Sequence, residues 1–145
     1  EYVMIVAEMN HDVRIIPIGA AHKAGALPKW GGDSVGRYEG NTLVVETMNM
    51  HPDQRSERTV MSVAGKITER FTRISDRQML YQFEIDDPAV YADVWRGETA
   101  MNRLDDSIFE YACHEGNYGL ENILSGGRQN DLKGVSQKAG AEREE

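Results

Sequence analysis

The dipeptide Gly40-Asn41 separates two short runs, 35–39 and 42–48, whose composition is typical of β-strands. Glycine and asparagine both tolerate positive φ angles, which a two-residue hairpin loop requires. A hairpin with this loop pairs Glu39 with Thr42, Arg37 with Val44 and Val35 with Glu46. Because cross-strand partners share a face, this register predicts that Arg37 and Glu46 lie on one side of the sheet within ion-pairing distance.

Three further pairs of β-rich runs predict the same local structure around polar turns. These pairs are 2–7 with 13–18, 66–74 with 78–85, and 94–104 with 108–113. Four hairpins give about eight short antiparallel strands. We therefore predict an all-β fold, an antiparallel up-and-down barrel of the lipocalin-like kind, with a sandwich as the alternative. A short C-terminal helix follows and is expected to end at Gly126-Gly127.

The length and net charge of the chain limit the number of domains and the classes of partner that we expect. With 145 residues, the chain suits a single β-barrel domain, predicted over 1–128, and a polar C-terminal tail over 129–145. The formal net charge of -8 disfavours nucleic acids and anionic membrane surfaces as partners. No apolar run reaches the roughly 20 residues of a membrane-spanning helix. A small-molecule ligand and further copies of the chain, as a homo-oligomer, are the partners left open.

Charged residues interrupt the predicted strands. They are Arg37, Glu39, Glu46, Glu69, Arg70, Glu84 and Glu110. Each alone is typical of a solvated strand face. Together they are typical of a barrel with a polar interior, where inward charges pair with one another or with a ligand. We interpret Arg37, Glu46 and Glu69 as one such set, which binds a polar group, transfers protons or forms a structural ion-pair network.

The segment 111–118 combines a thiol, an imidazole, a carboxylate, an amide and two phenols. Adjacent strand residues point to opposite faces, so Cys113 and His114 are not expected to meet as nucleophile and base. We predict that Cys113 is a buried structural residue. His114 is a candidate general base or ligand-orienting donor, with a turn cap as the alternative.

The sequence contains no metal or cofactor motif. Its four histidines are scattered, without HxH, HExxH or CxxC spacing. It has no phosphate-binding loop and no dinucleotide fingerprint, and Gly-Gly-Asp-Ser at 31–34 lacks the GxSxG pattern of a serine hydrolase. We therefore predict neither a metal nor a cofactor.

Several motifs resemble those of a bacterial family of uncharacterised proteins over most of residues 13–128. The family pattern reads roughly WxGDSxGxWEGDTLVVxT, ERF, DP, W and YxCHEGNY, and the matching stretches begin at Trp30, Glu69, Asp87, Trp95 and Tyr111. This chain has Tyr38 for the usual Trp and Asn41 for the usual Asp. It lacks a His before ERF, which argues against a shared His-based metal site. Family members often carry an export signal and another Cys in an N-terminal segment. The resemblance thus implies an exported protein, periplasmic or extracellular, and leaves a disulfide at Cys113 open.

The function favoured by these patterns is binding of a small, partly apolar molecule inside the barrel. The ligand-binding candidates are Trp30, Arg37, Arg70, Tyr81, Trp95, Tyr111 and Tyr118. The first alternative is a cofactor-free acid–base enzyme of isomerase or lyase type, with His114, Glu46 and Glu69 as catalytic candidates. The second alternative is a self-assembling extracellular structural protein. Fold alone does not separate these functions.

The order of the connections predicts where a ligand enters. In an up-and-down barrel, successive connections alternate between the two ends. The tight turns at 40–41, 76–77 and 105–106 should share one end, and the longer connections 19–34, 49–65 and 86–93 the other. We expect the ligand entrance at the long-connection end, near Trp30, His51, Trp95 and His114.

Overall fold

The computed structural model describes residues 1–23, 25, 27–54 and 60–132. The chain divides into two compact units, Glu1–Glu110 and Tyr111–Glu145. The first unit consists of antiparallel β-sheets, and the described part of the second contains a helix. The prediction of a mostly β chain with a C-terminal helix is therefore confirmed.

The described residues form a two-stranded and a five-stranded sheet. In the first, β1 (Tyr2–Val6) pairs with β2 (Val13–Pro17). The second is a meander of β3 (Asp33–Glu39), β4 (Thr42–Met48), β5 (Lys66–Arg73), β6 (Gln78–Asp86) and β7 (Trp95–Asn102). Across the described part of the chain this meander does not close into a barrel, because β3 and β7 lie at its two edges.

Three of the four predicted hairpins are confirmed, and the fourth is wrong. β7 pairs with β6 along its whole length, and residues 108–113 form no strand. After β7 the chain contacts Arg77, in the turn between β5 and β6. The Arg103 N–H donates to the Arg77 carbonyl at 2.8 Å, and Asp105 pairs with the side chains of both arginines.

The Gly40-Asn41 turn sets the register that the sequence predicts. Gly40 has a φ of 59°, Arg37 lies opposite Val44, and Val35 lies opposite Glu46. The Asn41 side-chain amide also donates to the Arg73 carbonyl at 2.5 Å, which ties the turn to the end of β5. The carboxylate of an aspartate at this position has no proton to donate to that carbonyl.

The five-stranded sheet has two faces of different chemistry. We call one the polar face; it carries Arg37, Glu39, Val44, Glu46 and Arg70. We call the other the covered face; it carries Gly36, Val45, Glu69, Phe71 and Tyr81. Val44 and Val45 are both fully buried, one on each side of β4.

The β1–β2 hairpin packs against the covered face. Ile16 is fully buried there. A Cβ atom on Gly36 would lie 2.8 Å from Ile18 Cδ1 and 2.9 Å from Ile16 Cγ2, so the missing side chain permits this close approach. The Gly19 N–H also donates to the Gly36 carbonyl at 2.8 Å. Hairpin and sheet thereby face each other across the side chains of the covered face.

The helix of the second unit, α1, spans Gly119–Leu132. It continues through Gly126 and Gly127, so the predicted end at these glycines is wrong. A glycine inside a helix costs about 1 kcal/mol relative to alanine, which a helix with further turns on both sides tolerates. In the part of the chain that the structure describes, no helix is long and apolar enough to cross a membrane.

Candidate functional site

Glu69 is a buried carboxylate between the hairpin and the sheet, with 6% of its surface exposed. Its Oε2 accepts a hydrogen bond from Arg14 Nη2 at 2.6 Å, and its Oε1 accepts one from the Tyr81 hydroxyl at 3.0 Å. Arg14 comes from β2, Glu69 from β5 and Tyr81 from β6. The structure thus brings together two residues selected from the sequence, Glu69 and Tyr81, and adds Arg14. The signal that could have found Arg14 is its place two residues before the core residue Ile16, on the same side of β2.

A cleft of about 300 Å³ adjoins this cluster. We call it the Glu69 cleft; it is lined by Ile5, Ala7, Asp12, Arg14, Glu69, Phe71, Tyr81 and Met101. Half of these side chains are apolar, and the polar ones include the hydrogen-bonded cluster. Apolar walls with a few placed polar groups are typical of small-molecule sites.

Tyr81 is held in its protonated form. Burial and the neighbouring Glu69 carboxylate raise the pKa of Tyr81 above the ordinary 10.0 of a phenol. Its hydroxyl donates its proton to Glu69, so its oxygen still accepts a hydrogen bond. At neutral pH Tyr81 therefore acts as an orienting and hydrogen-bonding group and does not accept a proton from a substrate.

We expect Tyr81 to destabilise the fold at alkaline pH. The pKa of Tyr81 is higher in the folded chain than in the unfolded one. The stability that protonated Tyr81 gives to the fold is therefore fully present below about pH 10 and is lost as the pH rises through the folded pKa. Unfolding in urea between about pH 8 and about pH 11 should show a steeper fall of stability in the wild type than in Tyr81→Phe. The exposed Tyr38→Phe is the control and should follow the wild type. Parallel curves for wild type and Tyr81→Phe would contradict the expectation.

On the polar face, Arg37 forms the centre of an exposed ion-pair network. Its Nη1 donates to Glu46 Oε1 at 2.6 Å and its Nε donates to Glu39 Oε1 at 2.9 Å. Arg70 Nη1 donates to the second oxygen of Glu39 at 2.8 Å. The predicted pairing of Arg37 with Glu46 is thus confirmed. The hydrogen bond from Arg37 lowers the pKa of Glu46, which disfavours Glu46 as a base near neutral pH.

Grouping Glu69 with Arg37 and Glu46 is wrong. Glu69 lies opposite Val45 of β4, whereas Arg37 lies opposite Val44, so the two charges face opposite sides of the sheet. A shift of one residue along a strand moves a side chain to the other face. The polar-face network is satisfied within itself, and Glu69 has its own partners on the covered face.

A second cleft, of about 470 Å³, opens on the polar face between β5, β6 and β7. Arg70 lines it together with Gln82, Glu84 and Arg96. Two of its charged side chains pair with each other, with Arg96 Nε 3.6 Å from Glu84 Oε2, and Arg70 donates to Glu39 outside the cleft. Such exposed pairs are typical of a solvated sheet face.

Aromatic rings collect at the end of the sheet where the long connections lie. Trp30 stacks on His51, with ring centroids 4.5 Å apart. Trp95 meets Phe83 edge-on at 5.5 Å and Tyr91 at 6.3 Å. Trp30 and His51 therefore stack on each other, and Trp95 packs with rings of β6 and of the 87–94 connection. A ligand entrance near these residues stays a prediction.

His22 and Asp33 form a pair that the sequence analysis did not select. His22 Nδ1 lies 3.1 Å from Asp33 Oδ2, and Lys29 Nζ donates to Asp33 Oδ1 at 3.0 Å. The bond from Lys29 is the main cause that lowers the pKa of Asp33, so Asp33 accepts and His22 Nδ1 carries a proton. His22 Nε2 is buried and has no hydrogen-bond partner among the described residues. Eleven positions separate the pair in the chain, and no local pattern links a loop histidine to a strand-initial aspartate.

Residues 111–118 belong to the second unit. Cys113 is exposed, so its prediction as a buried strand residue is wrong; the strand that would have buried it does not form. A hydrogen bond with Cys113 raises the pKa of Tyr111. His114 and Tyr118 are exposed, and their catalytic and ligand-binding roles stay predictions.

Within residues 1–23, 25, 27–54 and 60–132, no group of three or more His, Cys, Asp or Glu side chains is arranged to hold a metal ion. Comparisons with known proteins give no relative from which a role of these residues can be inferred. No family model, no curated protein and no solved structure matches this chain.

Proposed function

We propose that this protein binds a small, partly apolar molecule in the Glu69 cleft. The observation that carries the proposal is the buried Arg14–Glu69–Tyr81 cluster at a cleft with apolar walls. Buried charges are costly unless paired and hydrogen-bonded, and this cluster holds them beside a space that a ligand can enter. The apolar walls supply binding energy, and the polar cluster orients the ligand.

The proposal includes a lipocalin-like mode of binding. In a lipocalin-like barrel the ligand lies between strands that wrap around it. The Glu69 cleft has the equivalent position, because β1 and β2 form one wall and β5 and β6 form the other. The barrel itself is part of the proposal and would require further strand pairing at β3 and β7.

N-phenyl-1-naphthylamine, a neutral dye that fluoresces in apolar surroundings, tests the proposal. We expect saturable binding to the wild type with a single class of site. Ala7 lines the cleft, so Ala7→Phe fills part of it and should weaken dye binding by about tenfold or more.

The matched control is Ala100→Phe, which makes the same change at an exposed position. Ala100 lies opposite Leu80, and Leu80 lies opposite Thr72, so the control residue belongs to the polar face. It should leave dye binding unchanged. Dye binding that is absent, or that survives in Ala7→Phe with an unchanged melting temperature, would contradict the proposal.

An acid–base enzyme is the second candidate function, and the His22–Asp33 pair favours it. A carboxylate that accepts from Nδ1 orients an imidazole and leaves Nε2 without a proton. Because protein atoms enclose His22 Nε2, a substrate would have to displace them before it could transfer a proton to this nitrogen. This pair lines a hollow of about 470 Å³ that is separate from the Glu69 cleft. Asp33 lies on the polar face of β3, so chemistry at His22 would survive Ala7→Phe, whereas binding in the Glu69 cleft would not.

A further inference from the structure

The charges of the Glu69 cleft do not cancel. Arg14 and Glu69 neutralise each other at 2.6 Å, and both Glu69 oxygens are already engaged. Asp12 also lines the cleft, and its carboxylate makes no hydrogen bond or ion pair within the described residues. One negative charge is therefore left at the rim of an apolar space.

The cleft offers hydrogen-bond acceptors, and the charge of its one basic side chain among the described residues, Arg14, is balanced by Glu69. Asp12 supplies two carboxylate oxygens, and the Tyr81 hydroxyl, whose proton goes to Glu69, supplies a third acceptor. The cleft has no lysine, and Arg14 is its only lining cation among the described residues. Arg14 Nε has no partner but is enclosed by protein atoms, so a ligand in the cleft does not reach it.

The aromatic rings of the cleft also favour a positively charged ligand. Phe71 and Tyr81 line the cleft with ring centroids 5.0 Å apart. The face of an aromatic ring attracts a cation, and the attraction grows when the cation is partly desolvated. The chain as a whole carries a net charge of -8, which draws cations toward its surface.

We propose that the ligand of the Glu69 cleft is an organic cation, an ammonium group on an apolar body, held by Asp12, the Tyr81 oxygen and the rings of Phe71 and Tyr81. This inference rests on the proposed function and names the chemical class of its ligand. A space of about 300 Å³ suits a body of roughly six to ten carbon atoms. The apolar body packs on Ile5 and Met101.

Three probes of equal chain length test the class: n-hexylammonium, 1-hexanol and hexanoate. Each is titrated against the wild-type protein at neutral pH and low salt by displacement of N-phenyl-1-naphthylamine. We expect hexylammonium to displace the dye at about one fifth of the hexanol concentration, and hexanoate to be the weakest. The preference for the ammonium should shrink at about 0.5 M sodium chloride, because salt screens exposed charges.

Asp12→Asn is the decisive variant. It removes the charge and keeps the shape, so the preference for hexylammonium over hexanol should disappear. Asp93→Asn is the matched control at an exposed position in the connection before β7, and it should retain the wild-type preference.

The outcomes separate this inference from the proposed function. If hexanol displaces the dye as well as hexylammonium does, or if hexanoate binds best, the cationic class is wrong and the cleft is still a binding site. If Ala7→Phe weakens dye binding but none of the three probes displaces the dye, the proposed class, an organic cation with a small apolar body, is wrong. If the dye does not bind the wild type, both the inference and the proposed function fail.

Discussion

Glu69→Ala is expected to lower the free energy of unfolding by about 3 kcal/mol. The substitution leaves the Arg14 guanidinium without its carboxylate and the Tyr81 hydroxyl without an acceptor. Removing one partner of a buried ion pair typically costs 3–5 kcal/mol, about 3 here at the low end, because 29% of the Arg14 side chain is exposed and regains hydration. Urea unfolding with Trp fluorescence measures the change.

The control for this prediction is Glu46→Ala on the opposite face. Glu46 also pairs with an arginine at 2.6 Å, but its side chain is 29% exposed, against 8% for Glu69. Exposed pairs of this kind contribute about 0–1 kcal/mol. Equal losses of unfolding free energy in the two variants would contradict the prediction, because they would mean that burial does not make the Glu69 pair more important for stability than the exposed Glu46 pair.

Glu69→Gln separates charge from shape. The amide keeps one oxygen as an acceptor, so one of the two hydrogen bonds from Arg14 and Tyr81 can persist. The arginine charge nevertheless loses its counter-charge, and stability should fall less than in Glu69→Ala. Since the cluster joins the hairpin to the sheet, dye binding in the Glu69 cleft should weaken in step with stability.

The sequence predicts structure best where the determinants are local. Gly40 and Asn41 set a two-residue turn, and the alternation of a strand then places Arg37 and Glu46 side by side without knowledge of any distant contact. This outcome depends on turn chemistry and on a period of two, which a few neighbouring residues specify. The placement of Trp30 and His51 at the opposite end of the sheet depends instead on the alternation of connections between successive antiparallel strands.

The Glu69 cluster could not be predicted in the same way. Arg14 and Glu69 are 55 positions apart, and their contact depends on which face of the sheet the hairpin covers. The sequence of a single strand with polar residues on both faces does not show which face is solvated and which is covered by another element. Gly36 permits the hairpin to cover this face, because it places no side chain where Ile16 packs.

The fourth predicted hairpin does not form, because the composition of a run does not specify which strand it can pair with. Residues 108–113 are rich in apolar and aromatic side chains, which favours a strand. Pairing in a sheet also requires a partner edge in register. β7 pairs with β6, the chain after β7 contacts Arg77, and the expected turn at 105–107 does not bring the next run back along β7.

Asp87 is a buried carboxylate that joins two connections of the sheet, so its substitution is expected to lower stability strongly. It is 2% exposed, and its carboxylate accepts hydrogen bonds from Ser62 N–H at 2.5 Å, from the Ser62 hydroxyl at 2.8 Å and from Ala89 N–H at 3.3 Å. A Cβ atom on Gly65 would lie 2.7 Å from its Oδ2. Asp87 thus joins the end of the β4–β5 connection to the start of the β6–β7 connection.

We expect Asp87→Ala to lower the free energy of unfolding by about 2–4 kcal/mol, because it leaves a buried N–H and a hydroxyl of Ser62 without an acceptor. Asp87→Asn should restore stability only in part. Its single oxygen can accept from the Ser62 N–H, but its NH₂ group then faces the Ala89 N–H, and the charge-assisted hydrogen bonds of the carboxylate are lost. The neighbouring Asp86 is exposed, so Asp86→Ala is the matched control and should change stability by less than about 0.5 kcal/mol. Thermal and urea unfolding of the three variants measure these differences. If Asp87→Asn is as stable as the wild type, the carboxylate is not the group that joins the two connections.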